Sequence, residues 1–132
     1  MNATTAKQRL DQLALALDRL EEALAVPETA PLAVDGTIQR FEFVFELCWK
    51  AMKALVALNA PSVDANTARS AIKAAFAAGW IDDEAGWLDL LDMRNATSHT
   101  YKESVARDIY RRIGLRAPMM RRALPGLRAQ LP

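Results

Sequence analysis

The stretch RNATSHTY, residues 94–101, gathers the side chains best suited to chemistry. It holds His99, the single histidine of the chain, with Arg94 five residues before it and Tyr101 two after. Histidine moves protons near neutral pH. Arginine stays charged and offers a planar fork of donors to a phosphate. Asn95 can orient a neighbour or a leaving oxygen by hydrogen bonding. These parts suit cleavage of RNA without a metal. A base takes the 2′-OH proton, the freed oxygen attacks the adjacent phosphorus, and a cation stabilises the charge that develops. Other chemistries lack components. One His and one Cys far apart in sequence make no zinc site. No Gly-rich phosphate loop is present, and no Ser-His-Asp triad can be assembled. Neither a metal nor a cofactor is expected.

Spacing limits what the motif can do on its own. On a regular helix Asn95 and His99, four apart, share a face, while Arg94, Ser98 and Tyr101 share another. Arg94 and His99 are then about 140° apart around the axis. They converge only if the helix ends or distorts near Thr97, or if two subunits build the site together. A structural role is the competing reading: His99 can sit against a helix C-terminal dipole, and Arg94 can pair with Asp92 or Glu46.

The elements that must carry this motif are helical. Leu10, Leu13, Leu17, Leu20 and Leu24 form the apolar stripe of an amphipathic helix, expected over about residues 5–26 with Thr4 or Thr5 as cap. A longer helix, about 34–59, has two adjacent stripes. One is Ile38, Phe41, Phe45, Cys48, Met52 and Leu55; the other is Val44, Leu47, Ala51 and Leu58. A helix apolar over so much of its circumference is central to its bundle. Its polar strip is Gln39, Glu42, Glu46, Lys50 and Lys53, flanked by Trp49. Asn66 can cap a short helix that buries Ile72, Ala75 and Phe76 and ends at Gly79. Asp82 and Asp83 then start a helix with Trp87, Leu88, Leu90 and Leu91 on its core face. A fifth helix, about 104–113, presents Val105, Ile109 and Ile113, and a last segment after Gly114 starts near Pro118 and is interrupted at Pro125. The expectation is one all-α domain over 1–132, an up-and-down bundle of five to six helices.

Bulk properties agree. The chain has 132 residues, 52% of them hydrophobic and 25% charged, which is globular composition and not that of a disordered chain. Cys48 lies in an apolar run and reads as a small buried hydrophobe in a reducing compartment. No signal peptide is evident, and no apolar run approaches the roughly 18 residues of a membrane span. A soluble cytoplasmic protein is expected. The net charge of +1 is uneven: residues 102–132 carry eight Lys/Arg against two Asp/Glu. Such a basic tail can attract a polyanion or pair with acidic groups. Arg107 and Arg111, one turn apart, could track a phosphate backbone.

RNATSH also fits the R-N-x-x-x-H motif of HEPN domains, and HTY extends it to the R-x4-H-x-Y form of HEPN proteins encoded beside a minimal nucleotidyltransferase. QRFEFVFELCWKAMKAL, residues 39–55, resembles the second helix of those proteins. The run AIKAAFAAGWIDDEAGWLDLLDMRN, residues 71–95, is similar as well. The three stretches agree in order and spacing over roughly residues 8–113, and the last 20 residues agree only in being helical and basic. The subfamily is that of nucleotidyltransferase substrate-binding proteins, related to HepT-type toxins, which are RNases neutralised by the partner enzyme.

The resemblance implies a homodimer whose motifs meet in a cleft near the interface. It implies that Arg94 binds the scissile phosphate, His99 acts as acid or base, and Asn95 orients the site. It implies that Tyr101 is the target of AMP addition by the partner, which would add bulk and negative charge beside the cleft. Glu42, Glu46, Trp49 and Lys50 match the family's second helix and could line that cleft, although Glu46 and Lys50 also read as a plain i,i+4 pair. With RNA or a nucleotide as the expected ligand, three readings stay open: an endoribonuclease toxin, a subunit that presents a nucleotide or other substrate to the nucleotidyltransferase without cutting anything, and a dimeric bundle whose motif only shapes an interface.

Overall fold

A computed structural model describes residues 2–132 of the chain. Five helices run in order: α1 Ala3–Ala25, α2 Ala33–Asn59, α3 Ala68–Ala77, α4 Glu84–Ala96 and α5 Glu103–Arg128. A short 3-10 turn, Thr97–His99, separates α4 from α5, and no strand occurs among the described residues. The chain is all-α, consistent with an up-and-down bundle. Among the described residues no helix is long and apolar enough to cross a membrane.

Local chemistry explains where the helices start and stop. The α1 cap is Asn2 and neither Thr4 nor Thr5: its side chain accepts from the Thr5 N–H at 2.9 Å. Thr67, not Asn66, caps α3 in a reciprocal box with Ser70. Asn66 instead donates its backbone N–H to Asp64. Gly79 follows α3 with φ +80°, the left-handed conformation that lets its N–H reach Phe76 and the next N–H reach Ala75. Asp83 caps α4 by accepting from the Gly86 N–H at 3.0 Å.

Helix α2 is the centre of the bundle and packs against all four other helices. Its Phe41, Val44, Phe45, Cys48, Ala51, Met52 and Leu55 are buried, and they meet the α1 stripe of Leu10, Leu13, Leu17 and Leu20. Ile72 and Ala75 join the core as expected, whereas Phe76 stays 41% exposed on the far side of α3. Burial leaves the Cys48 thiol with its pKa pushed well up, because the thiolate would lose its hydration.

The C-terminal third departs most from the reading of local sequence. Neither Gly114 nor Pro118 interrupts α5, and Pro125 lies inside it, so one helix of 26 residues replaces two. Ala106, Ile109, Ile113, Ala117, Met120, Leu124 and Leu127 form one buried stripe across both prolines. Both prolines face solvent, where water can satisfy the carbonyls that lose an N–H partner. Burial of that stripe outweighs the roughly 3 kcal/mol that an internal proline costs.

The charge asymmetry also resolves here. Each arginine of α5 lies within ion-pair distance of a carboxylate elsewhere in the bundle or one turn away. Arg121 grips Asp18 and Glu21 of α1, and Arg112 and Arg116 share Asp89 of α4. Arg107 and Arg111 both lean on Glu28, at 2.8 and 3.3 Å. The arginines of the basic tail are thus met by carboxylates, most of them from the acidic body, in separate ion-pair clusters along α5.

Candidate functional site

Helix α4 delivers Arg94 and Asn95 in its last turn and ends at Ala96. The end has a visible cause. The Thr97 hydroxyl donates to the Arg94 carbonyl at 2.6 Å, and the Thr97 N–H reaches both Arg94 and Met93. The Ser98 hydroxyl does the same to the Asn95 carbonyl at 2.9 Å. These side chains take up carbonyls that a continuing helix would use, and the chain tightens into a 3-10 turn. The regular 100° step therefore stops between Arg94 and His99, but the 3-10 turn that replaces it winds more tightly and does not by itself bring the two side chains onto one face.

Arg94 is half-buried and points at α2. Its Nη1 lies 3.3 Å from Glu42 Oε2 and 3.1 Å from Thr97 Oγ1. Its Nε is buried without a hydrogen-bond partner. The counter-ion is Glu42, not Asp92 or Glu46. Glu46 is otherwise engaged: it accepts from the Trp49 indole at 3.1 Å and pairs with Lys50 at 3.4 Å. Glu42 and Glu46, four apart, share a face of α2, so this polar strip runs away from Arg94 along the helix.

His99 and Asn95 are exposed. The His99 ring meets the Tyr101 ring edge-on, with centroids 6.4 Å apart. Tyr101 is 80% exposed, the first residue after the turn to stand clear of the bundle. Three groups thus emerge: Arg94 with Glu42, Glu46 with Trp49 and Lys50, and His99 with Tyr101. Among the described residues no hydrogen bond or ion pair joins the Arg94 and His99 side chains. Beside Tyr101 a cavity of about 410 Å³ opens between α5 and the α1–α2 connection, lined by Glu28, Asp35, Thr100, Glu103 and Arg107 among others.

Thr97 is more than the place where the helix bends: it is a partner of Arg94, a role the motif's spacing does not announce. The available signal is a Thr three residues after an Arg at a helix end, a position from which a hydroxyl commonly reaches back to a carbonyl. No cluster of His, Cys, Asp and Glu suited to a metal occurs among the described residues.

A central apolar helix, a last-turn Arg-Asn and a His just past the helix end fit the HEPN-type bundle that the motif resembles. The chain belongs to the nucleotidyltransferase substrate binding protein like family, whose pattern it matches over residues 8–128. It is 39% identical over 83 residues to a Haemophilus influenzae protein described as "Probable ribonuclease HepT". That match takes in 61% of this chain and 57% of the relative, so it spans little more than half of that relative's length. A crystal structure of a Thermus thermophilus protein superposes with a TM-score of 0.79 at 33% identity, over 88% of this chain and 98% of that one. A second structure, from Haemophilus influenzae, is described as revealing the fold of a substrate binding domain of a nucleotidyltransferase. It superposes with a TM-score of 0.68 at 28% identity, over 96% of this chain and 99% of that one.

Proposed function

We propose that the chain is a metal-independent endoribonuclease of the HEPN type, the toxin half of a two-gene system, held in check by a nucleotidyltransferase partner. In this reading Arg94 binds the scissile phosphate and offsets the charge that builds on it during attack. His99 takes the 2′-OH proton or returns one to the leaving oxygen. Asn95 orients the reacting groups. The active unit is a homodimer whose two motifs face a shared cleft, bordered by Glu42, Glu46, Trp49 and Lys50. The partner adds AMP to Tyr101, placing bulk and negative charge beside that cleft.

The observation that carries the reading is the end of α4 at Ala96, which leaves a half-buried Arg94 in the last helical turn and an exposed His99 as the last residue of the 3-10 turn that follows. The exposure of Tyr101 supports its role as acceptor. Similarity to a protein described as a ribonuclease adds weight.

A second reading has its own support. Glu42 and Glu46 would repel RNA phosphates, and the α5 arginines that could hold RNA are occupied by carboxylates. On that reading the cleft presents a nucleotide or other substrate to the nucleotidyltransferase and cuts nothing. RNA cleavage by the purified chain in EDTA, beside Arg94→Ala and His99→Ala, separates the two. Cleavage that persists without metal and disappears in both variants is the expected result. A wild type that cuts nothing, or variants that cut equally well, leaves the binding subunit.

A further inference from the structure

Arg94 is already occupied in the resting chain, and its two partners hold it differently. The Thr97 hydroxyl has one hydrogen, which it gives to the Arg94 carbonyl at 2.6 Å. Only its lone pairs are left to face Nη1, so it accepts there and cannot turn away without losing the first bond. Thr97 is also buried, at 7% exposure, where water cannot readily take its place. Glu42 sits on a neighbouring helix with its side chain 35% exposed, and it meets Nη1 as an ion pair at 3.3 Å. Such a carboxylate can swing to solvent at little cost. A phosphodiester arriving at Arg94 carries the same charge to the same nitrogen, so the two compete.

We infer that Thr97 is a positioning residue that fixes the Arg94 guanidinium against the end of α4, and that Glu42 is an internal counter-ion that an incoming phosphodiester displaces. This rests on the reading of Arg94 as a phosphate binder. It turns Glu42 from a group that contacts substrate into one that contests the substrate's place. The unpartnered Nε belongs to the same picture: the guanidinium is held through Nη1 and keeps donor capacity unused.

The test uses the full chain and a 2′-O-methyl oligoribonucleotide, which has the phosphodiester backbone but no 2′-OH to attack with, read by fluorescence anisotropy. Glu42→Gln binds about fivefold more tightly, as expected when an ion pair worth about 1 kcal/mol no longer competes. That gain vanishes in the Arg94→Ala background, because the two residues act as a pair. Thr97→Val weakens binding about fivefold, the scale of one lost hydrogen bond, and Thr97→Ser restores it. If Arg94→Ala binds as well as wild type, the phosphate reading of Arg94 fails and takes this inference with it. If Arg94→Ala weakens binding but Glu42→Gln does nothing, or helps equally without Arg94, the phosphate reading stands and the counter-ion role is refuted. Equal loss in Thr97→Ser and Thr97→Val refutes the positioning role.

Discussion

Two glycines of α5 give opposite responses to the same substitution, and together they test whether this helix is one piece. A Cβ built on Gly114 meets only the Leu24 Cδ2, at 4.0 Å. A Cβ built on Gly126 comes within 2.6 Å of the Trp80 carbonyl oxygen, a backbone atom that cannot rotate out of the way. Gly114→Ala therefore gains the intrinsic preference of alanine for a helix interior, about 0.8 kcal/mol, and nothing opposes it. Gly126→Ala gains less than that near the helix end and forces the loop at Trp80 to move, at roughly 1–3 kcal/mol. Its net effect is a loss of about 1–2 kcal/mol. At about 4 °C per kcal/mol for a domain of this size, Gly114→Ala melts about 3 °C higher and Gly126→Ala about 4–8 °C lower. Thermal unfolding followed by far-ultraviolet circular dichroism measures both. A fall in Gly114→Ala would mean that the backbone there has left the helix for a conformation that favours glycine. A rise in Gly126→Ala would mean that α5 does not approach Trp80.

Other consequences follow from the ion pairs and the core. Arg107, hydrogen-bonded to Glu28, holds the Glu28 carboxyl below its usual value of 4.5, with Arg111 adding to the effect. A depressed carboxylate contributes stability that is present above its unfolded value and lost as pH falls through its folded one. The melting-temperature gap between wild type and Glu28→Gln should thus be widest near neutrality and close as pH falls below 4.5 and on through the lowered folded value; a gap independent of pH removes Glu28 from its ion pairs. Cys48 should react with a thiol reagent only as fast as the protein unfolds, since its thiol is buried and its pKa is raised by that burial. Rapid labelling of the native chain would place Cys48 outside the core.

Much of the fold is legible without coordinates because it rests on periodicity. The α1 leucines and the two α2 stripes point inward where their spacing puts them, and α2 is the central helix its apolar circumference demands. Gly79 ends α3 through a backbone angle that favours glycine. The errors cluster where local rules compete with packing. Asn66 and Thr67 are both good caps, and only the Ser70 hydroxyl three residues on decides between them. Gly114, Pro118 and Pro125 are helix breakers by local preference, yet the buried stripe from Ala106 to Leu127 keeps its spacing through all three. That stripe was readable in the sequence, and it outweighs the breakers because burial acts along the whole helix while each proline costs only at one turn.

The motif itself was a matter of residue types and distance along the chain. Arg, Asn, His and Tyr in that order named a chemistry, and the angle between Arg94 and His99 called for a break in the helix. Which carboxylate Arg94 faces lay beyond it, because Glu46 and Glu42 differ only in where α2 passes α4, and an ion pair between helices has no signature in local sequence. The same holds for Arg107 and Arg111, which look ready for a polyanion until Glu28, some eighty residues earlier, is folded against them. Side-chain type and spacing are local properties carried by the chain. Partnership between charges depends on which helices meet, and burial of the apolar stripes decides that.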